Sequence, residues 1–150
     1  MSLILNIKRS ISLAFTSIFI CIVLAGQSLG ATYYVRNGGN DSADGLSDGN
    51  AWSSISKVNS TSFVAGDKIL FKRGSSWSDT LIPASSGSAA SPITFEAYGT
   101  GDAPVIDINS NISKRRNLYI SGKHDIQIRN LSFLNGTSEA GAFYGNVELN

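Results

Sequence analysis

Cysteine is nearly absent from this chain of 150 residues: the only one, Cys21, lies in an apolar N-terminal stretch. Disulfide cross-links, cysteine-bound metals and thiol nucleophiles are thereby excluded from everything that follows it. Charge is also scarce. Only 15% of residues are charged, and 12 Lys or Arg against 11 Asp or Glu leave a formal charge of +1. That balance argues against a charged disordered chain and against a basic nucleic-acid binder. There is one histidine, His124, and there are three prolines. Stability must come from backbone pairing and from the 42% of residues that are apolar, in a length that suits one domain.

The N-terminus reads as a targeting segment. Lys8 and Arg9 precede a largely apolar run from Ile11 to Ala25, and Gln27-Ser28-Leu29-Gly30-Ala31 follows, with small residues at 28 and 30. This is the pattern of a secretory signal peptide over residues 1–30, cleaved after Gly30 or Ala31. The alternative, an uncleaved membrane anchor, is disfavoured because this run of 15 residues falls short of the roughly 20 that span a bilayer. No stable membrane insertion is expected after cleavage, and the mature protein is expected to be secreted, extracellular or periplasmic. It would keep 120 residues, with 10 Lys or Arg against 11 Asp or Glu, so bulk charge selects no partner.

What fills the mature chain is a series of short apolar triplets of period two, separated by Gly, Ser, Asn and Asp. They are Tyr33-Tyr34-Val35, Ile69-Leu70-Phe71, Thr80-Leu81-Ile82, Ile93-Thr94-Phe95, Val105-Ile106-Asp107, Leu118-Tyr119-Ile120, Ile126-Gln127-Ile128, Leu131-Ser132-Phe133 and Val147-Glu148-Leu149. Each reads as a short strand. Between Ala51 and Asn59 the period changes, and Trp52, Ile55 and Val58 fall on one side of a helix that Asp48 or Asn50 would cap.

The triplets recur. Ile69 to Ile93 is 24 residues, Ile93 to Leu118 is 25, Leu81 to Val105 is 24 and Val105 to Leu131 is 26. A period of this size with Ile, Leu, Val and Phe at repeated phases predicts a parallel β-helix, in which inward side chains of each coil stack on the coil below. An antiparallel β-sandwich is the competing all-β arrangement, and the absence of two-residue Asn-Gly hairpins weighs against it.

Several of these pieces form an ordered set: Tyr33-Tyr34-Val35, Gly39-Asn40-Asp41, Asp44-Gly45, Ala51-Trp52, Ile55 and Gly66-Asp67-Lys68-Ile69-Leu70-Phe71-Lys72-Arg73-Gly74. With Trp77, Leu81, Pro92-Ile93-Thr94-Phe95, Tyr98-Gly99 and Pro104-Val105-Ile106, the set resembles the start of exported right-handed parallel β-helix proteins of the pectate-lyase-like superfamily. The resemblance implies a cap over residues 31–66, made of a strand, an acidic turn and a short capping α-helix, and the first coils of a solenoid over 67–150. It also implies an acidic, uronate-containing polysaccharide as substrate and a polysaccharide lyase reaction by β-elimination, in which a base removes an acidified proton. A non-catalytic glycan-binding or adhesin protein and a glycoside hydrolase on the same fold stay open. No catalytic residues are assigned. Residues 67–150 hold about three and a half coils, near the minimum of roughly three. The expectation is an N-terminal part, truncated at the C-terminus and inactive alone, of a protein that is monomeric at full length.

Individual residues carry competing readings. Asp41, Asp44 and Asp48 bring three carboxylates into one loop, a donor set that suits calcium, although Asn and Asp before Gly also form ordinary turns. Lys114, Arg115 and Arg116 make the one dense basic patch, suited to uronate or sulfate groups, or a solvated turn. Trp77 and Tyr119 offer rings for sugar stacking, while Trp77 equally suits a gap in the first coil. Trp52 is expected as a plug. His124 beside Asp125 suggests a proton carrier, but an exposed corner is expected. Gly66-Asp67 is expected to launch a strand, and Gly74, Gly87, Gly99 and Gly122 to be corners with positive φ.

Overall fold

The computed structural model describes residues 29–108, 116–135 and 147–149. Most of the expected signal peptide, together with Lys114 and Arg115, lies outside these residues. In chain order the elements are β1 (Thr32–Val35), α1 (Ile55–Ser60), β2 (Lys68–Lys72), β3 (Ser76–Trp77), β4 (Ile93–Tyr98), β5 (Val105–Asp107), β6 (Ile126–Arg129), β7 (Ser132–Leu134) and β8 (Val147–Leu149).

These strands form two sheets, β1-β2-β4-β6-β8 and β3-β5-β7, and every neighbouring pair is parallel. From β2 onward the chain visits the larger sheet, crosses to the smaller one and returns one place further along. The fold is all-β with parallel pairing, and the antiparallel sandwich is excluded for the described strands. Alternation within strands explains the arrangement: Ile69 and Phe71 of β2 are buried while Lys68 is exposed, so one face of the sheet packs inward and the other meets water. In register, Tyr33, Ile69, Phe95 and Ile128 form one inward row, and Trp77, Ile106 and Phe133 form another across the smaller sheet. Each fully buried Ile or Phe in such a row contributes about 1.5–3 kcal/mol.

Pairing distance differs from the expected period. Lys68 lies against Thr94, 26 residues on, Thr94 against Gln127, 33 on, and Gln127 against Glu148, 21 on. Ile69 therefore pairs with Phe95 rather than Ile93, and Ile93 with Ile126 rather than Leu118. The reason is that ladder register depends on strand residues alone, whereas spacing in sequence also counts the turns between them. Thr80-Leu81-Ile82 and Leu118-Tyr119-Ile120 are not strands; each contributes one residue to a single parallel bridge, Leu81 to Leu118, with Leu81 and Ile120 buried beneath it.

The helix is shorter than expected and starts later. Trp52 is not on it: the Trp52 amide donates to Tyr34 O at 2.8 Å and its carbonyl accepts from the Arg36 amide at 2.9 Å, so it extends the edge of β1. The cap falls instead to Ser54, whose hydroxyl accepts from the Lys57 amide at 3.0 Å. Trp52 still acts as the plug. It is 3% exposed, its ring stacks on Tyr33 at 4.9 Å and its Nε1 donates to Ala43 O. Ile55, Val58 and Phe63 complete the apolar cover.

Two asparagines cover edges at β3 and at Leu81. Asn37 Nδ2 donates to Ser76 O at 3.0 Å and its Oδ1 accepts from the Ser76 amide at 2.8 Å. Asn59 likewise donates to Thr80 O at 2.8 Å and accepts from the Ile82 amide at 2.7 Å. Each side-chain amide imitates the missing strand above β3 and above Leu81, satisfying backbone groups that an edge would otherwise expose.

Candidate functional site on the outer face of the larger sheet

Side chains that alternate with the buried ones project from the outer face of the five-stranded sheet. Register aligns Tyr34, Leu70, Glu96 and Arg129 along one row, Lys68 and Gln127 on either side of a buried Thr94 along a second, and Lys72 with Tyr98 on a third. At one end of this face the acidic loop delivers Asp48. Lys72 Nζ donates to both Asp48 oxygens at 2.9 Å, and the Tyr98 hydroxyl donates to Oδ1 at 2.5 Å. Arg36 Nε donates to Asp48 O at 3.0 Å, and Tyr34 meets Tyr98 edge-on at 5.1 Å. The Lys72 ammonium also lies 5.8 Å from the centre of the Tyr98 ring.

Electrostatics follow from these contacts. The Tyr98 hydrogen bond, then the Lys72 contact, hold the Asp48 carboxyl below the ordinary aspartate range. Burial, followed by the hydrogen bond to Asp48, pushes the Tyr98 phenol well above the ordinary tyrosine value. The group is thus an ionised carboxylate, a neutral phenol and two cations beside two half-exposed aromatic rings. That combination suits a sugar, whose C–H face packs on an aromatic ring and whose hydroxyls bond to charged groups.

The three carboxylates expected around a cation are directed to separate partners. Asp41 accepts from the amides of Ser53 (2.8 Å) and Ser54 (3.1 Å) and from the Ser54 hydroxyl (2.7 Å), buttressing the helix cap. Burial raises its pKa, but these hydrogen bonds outweigh burial and leave it below the ordinary value. Asp44 accepts from the Leu46 amide in a local turn, and Asp48 belongs to the outer face. Among the described residues no group of three His, Cys, Asp or Glu converges as a metal site.

Trp77 is 8% exposed; its Nε1 donates to Ser53 O at 2.8 Å and its ring meets Phe71 edge-on, so it fills the interior rather than presenting a platform. Of the basic patch, Arg116 is described, and its guanidinium lies 5.0 Å from the centre of the Tyr119 ring. His124 stands at a corner with its side chain 56% exposed, and its Nδ1 meets Asp125 Oδ2 at 2.7 Å. Neighbouring side chains of an extended turn point apart; these two meet because Asp125 has φ 54°. Tyr34, Arg36, Lys72 and Tyr98 were not expected as site residues. The signal available was their phase, since Lys72 and Tyr98 occupy strand positions facing away from Phe71 and Ala97.

Parallel pairing of short half-exposed strands defines the class of fold, and known proteins share it. No family model matches the chain. A lacto-N-biosidase of Bifidobacterium longum subsp. longum is 39% identical over 89 residues, 55% of this chain and 6% of that protein. The crystal structure of a GH136 lacto-N-biosidase from Eubacterium ramulus superposes with a TM-score of 0.64 at 24% identity, over 77% of this chain and 22% of that one. A rhamnogalacturonan lyase superposes with a TM-score of 0.53 at 21% identity, over 69% of this chain and 28% of that one. The chain thus spans a small part of the relatives it matches.

Proposed function

We propose that the chain forms the first coils of a right-handed parallel β-helix in an exported, monomeric, carbohydrate-active protein, and that the outer face of the larger sheet holds the glycan. The observation that carries this reading is the Tyr34–Tyr98–Lys72–Asp48–Arg36 group, which joins aromatic rings to charged donors and an acceptor on one solvent-facing surface. The likeness in sequence to the Bifidobacterium longum lacto-N-biosidase, alongside the fold shared with the Eubacterium ramulus one, supports hydrolysis of a glycosidic bond. Hydrolysis needs two carboxyl groups; Asp48 belongs to this face, and Glu96, on the same strand and face as Tyr98, is a second carboxylate there. No catalytic pair is assigned.

A second reading, β-elimination on an acidic polysaccharide, draws support from the fold shared with a rhamnogalacturonan lyase and from Arg36 and Lys72, which pair with Asp48 and would have to exchange that carboxylate for a uronate. The product of the complete gene, incubated separately with lacto-N-biose-containing oligosaccharides and with rhamnogalacturonan, separates the two. Release of disaccharide without ultraviolet absorbance by unsaturated sugar supports hydrolysis, and a rise in that absorbance supports the lyase. Binding without turnover of either would overturn both and leave an adhesin or glycan-binding module.

A further inference from the structure

We propose that the exported protein begins at Ala31 and that its new α-ammonium group pairs with the buried carboxylate of Asp67. The inference rests on residues 1–30 being a cleaved leader. Cleavage is hydrolysis of the Gly30–Ala31 amide by a signal peptidase: one water is consumed, Gly30 leaves as a carboxylate, and Ala31 N becomes an ammonium.

The surroundings of Ala31 select this bond over the next one. Ala31 N donates to Asp67 Oδ1 at 2.7 Å, and Ala31 O accepts from the Lys68 amide at 2.8 Å, which starts the β1–β2 ladder. Cutting after Ala31 would delete both interactions. It would also place Leu29 at the third position before the cut, where the peptidase wants a small side chain, whereas cutting after Gly30 places Ser28 there. Leu29 is 93% exposed, so its removal costs little packing, and Gly30, although exposed, lies close against the Gly66 backbone, a contact that the ion pair must outweigh.

The chemistry at Asp67 argues the same way. This side chain is 1% exposed, and its other oxygen accepts from the Val64 amide at 2.8 Å. A buried carboxylate is costly unless it is well paired. An ammonium replaces a neutral amide donor with a charge-assisted one, and the space vacated by exposed Gly30 lets its other two N–H groups reach water. Removal of the leader therefore installs the strongest partner available to Asp67, and the processed chain is more stable than one that keeps Gly30.

The complete gene product, expressed in an exporting host, is examined by intact mass and N-terminal sequencing. The expected first residue is Ala31. Thermal melts at neutral pH then compare that form with one that starts at Gly30, made by tag removal; the Gly30 form is expected to melt several degrees lower. Asp67→Asn is expected to abolish the difference. A first residue other than Ala31 overturns the assignment while export stands, and export without any processing, or no export, overturns the leader reading itself. Equal melting of the two wild-type forms overturns the ion pair, and this comparison decides the matter even if Asp67→Asn fails to fold.

Discussion

Replacing Asn59 by alanine tests whether a side-chain amide substitutes for a missing strand. The substitution removes the donor to Thr80 O and the acceptor for the Ile82 amide. Thr80 is buried, so its carbonyl loses a partner that water replaces poorly, at about 1–3 kcal/mol. Ile82 is 40% exposed, so its amide rehydrates and the loss there is the smaller net value of about 0.5–1 kcal/mol. Alanine returns roughly 0.5 kcal/mol of helix propensity within α1. The balance is a destabilisation of about 1–3.5 kcal/mol, read as a lower urea midpoint at unchanged slope. Asn59→Asp keeps the acceptor but sets a negative charge against the Thr80 carbonyl, so it should recover little of the loss. An alanine variant within about 0.5 kcal/mol of wild type would refute the strand-substitute argument, since that is the range of ordinary surface changes.

Gly87 tolerates no side chain: a Cβ there would fall 2.4 Å from Asp125 O and 2.6 Å from Ile93 N, so Gly87→Ala should cost about 1–3 kcal/mol in chemical denaturation, and a neutral result would refute the close approach. The pKa of Asp41 is lowered by folding, so the stability it adds is full above the unfolded aspartate value of about 3.9 and is lost as pH falls through its lower folded value. Asp41→Asn should therefore flatten the fall of Tm in that acid window, and an unchanged pH profile would contradict it. Tyr98 is shifted the other way: its contribution is full below the unfolded tyrosine value of about 10 and is lost as pH rises through the higher folded one. Ultraviolet titration should show a late-ionising tyrosine that Asp48→Asn moves to lower pH; no movement would break the Asp48–Tyr98 link. Because Asp41, Asp44 and Asp48 serve separate protein donors, a chelator should leave Tm unchanged, and a drop of several degrees would support calcium in this loop.

Most inward positions were legible because period two is a local property of a strand: Ile93-Thr94-Phe95 and Ile126-Gln127-Ile128 declare which residues point inward without any knowledge of partners, and the recurrence of the triplets pointed to parallel pairing though not to its register. Spacing was less informative, since Ile93 and Leu118 share a phase in sequence only if turns have constant length, and they do not. Ser76-Trp77, a strand of two residues, is too short to show a period. Trp52 fitted a helical face, yet its backbone is committed to β1, a tertiary fact invisible to local pattern. Glycines read as corners were right at Gly74, Gly99 and Gly122, which have positive φ, whereas Gly87 is required by a close backbone contact instead. The outer-face group was hidden for a different reason. Tyr98 and Asp48 stand 50 residues apart and meet only once register is set.

That rungs 26, 33 and 21 residues apart can still align side by side has a bearing on how such a chain changes over time. Inward positions answer to their neighbours above and below, while the connecting segments are held at particular points, such as Asn37, Asp48 and Gly87, and can differ in length between them. Insertions there would reshape the walls around a ligand without disturbing the stack that holds them, so new specificity and an old core can evolve on separate accounts.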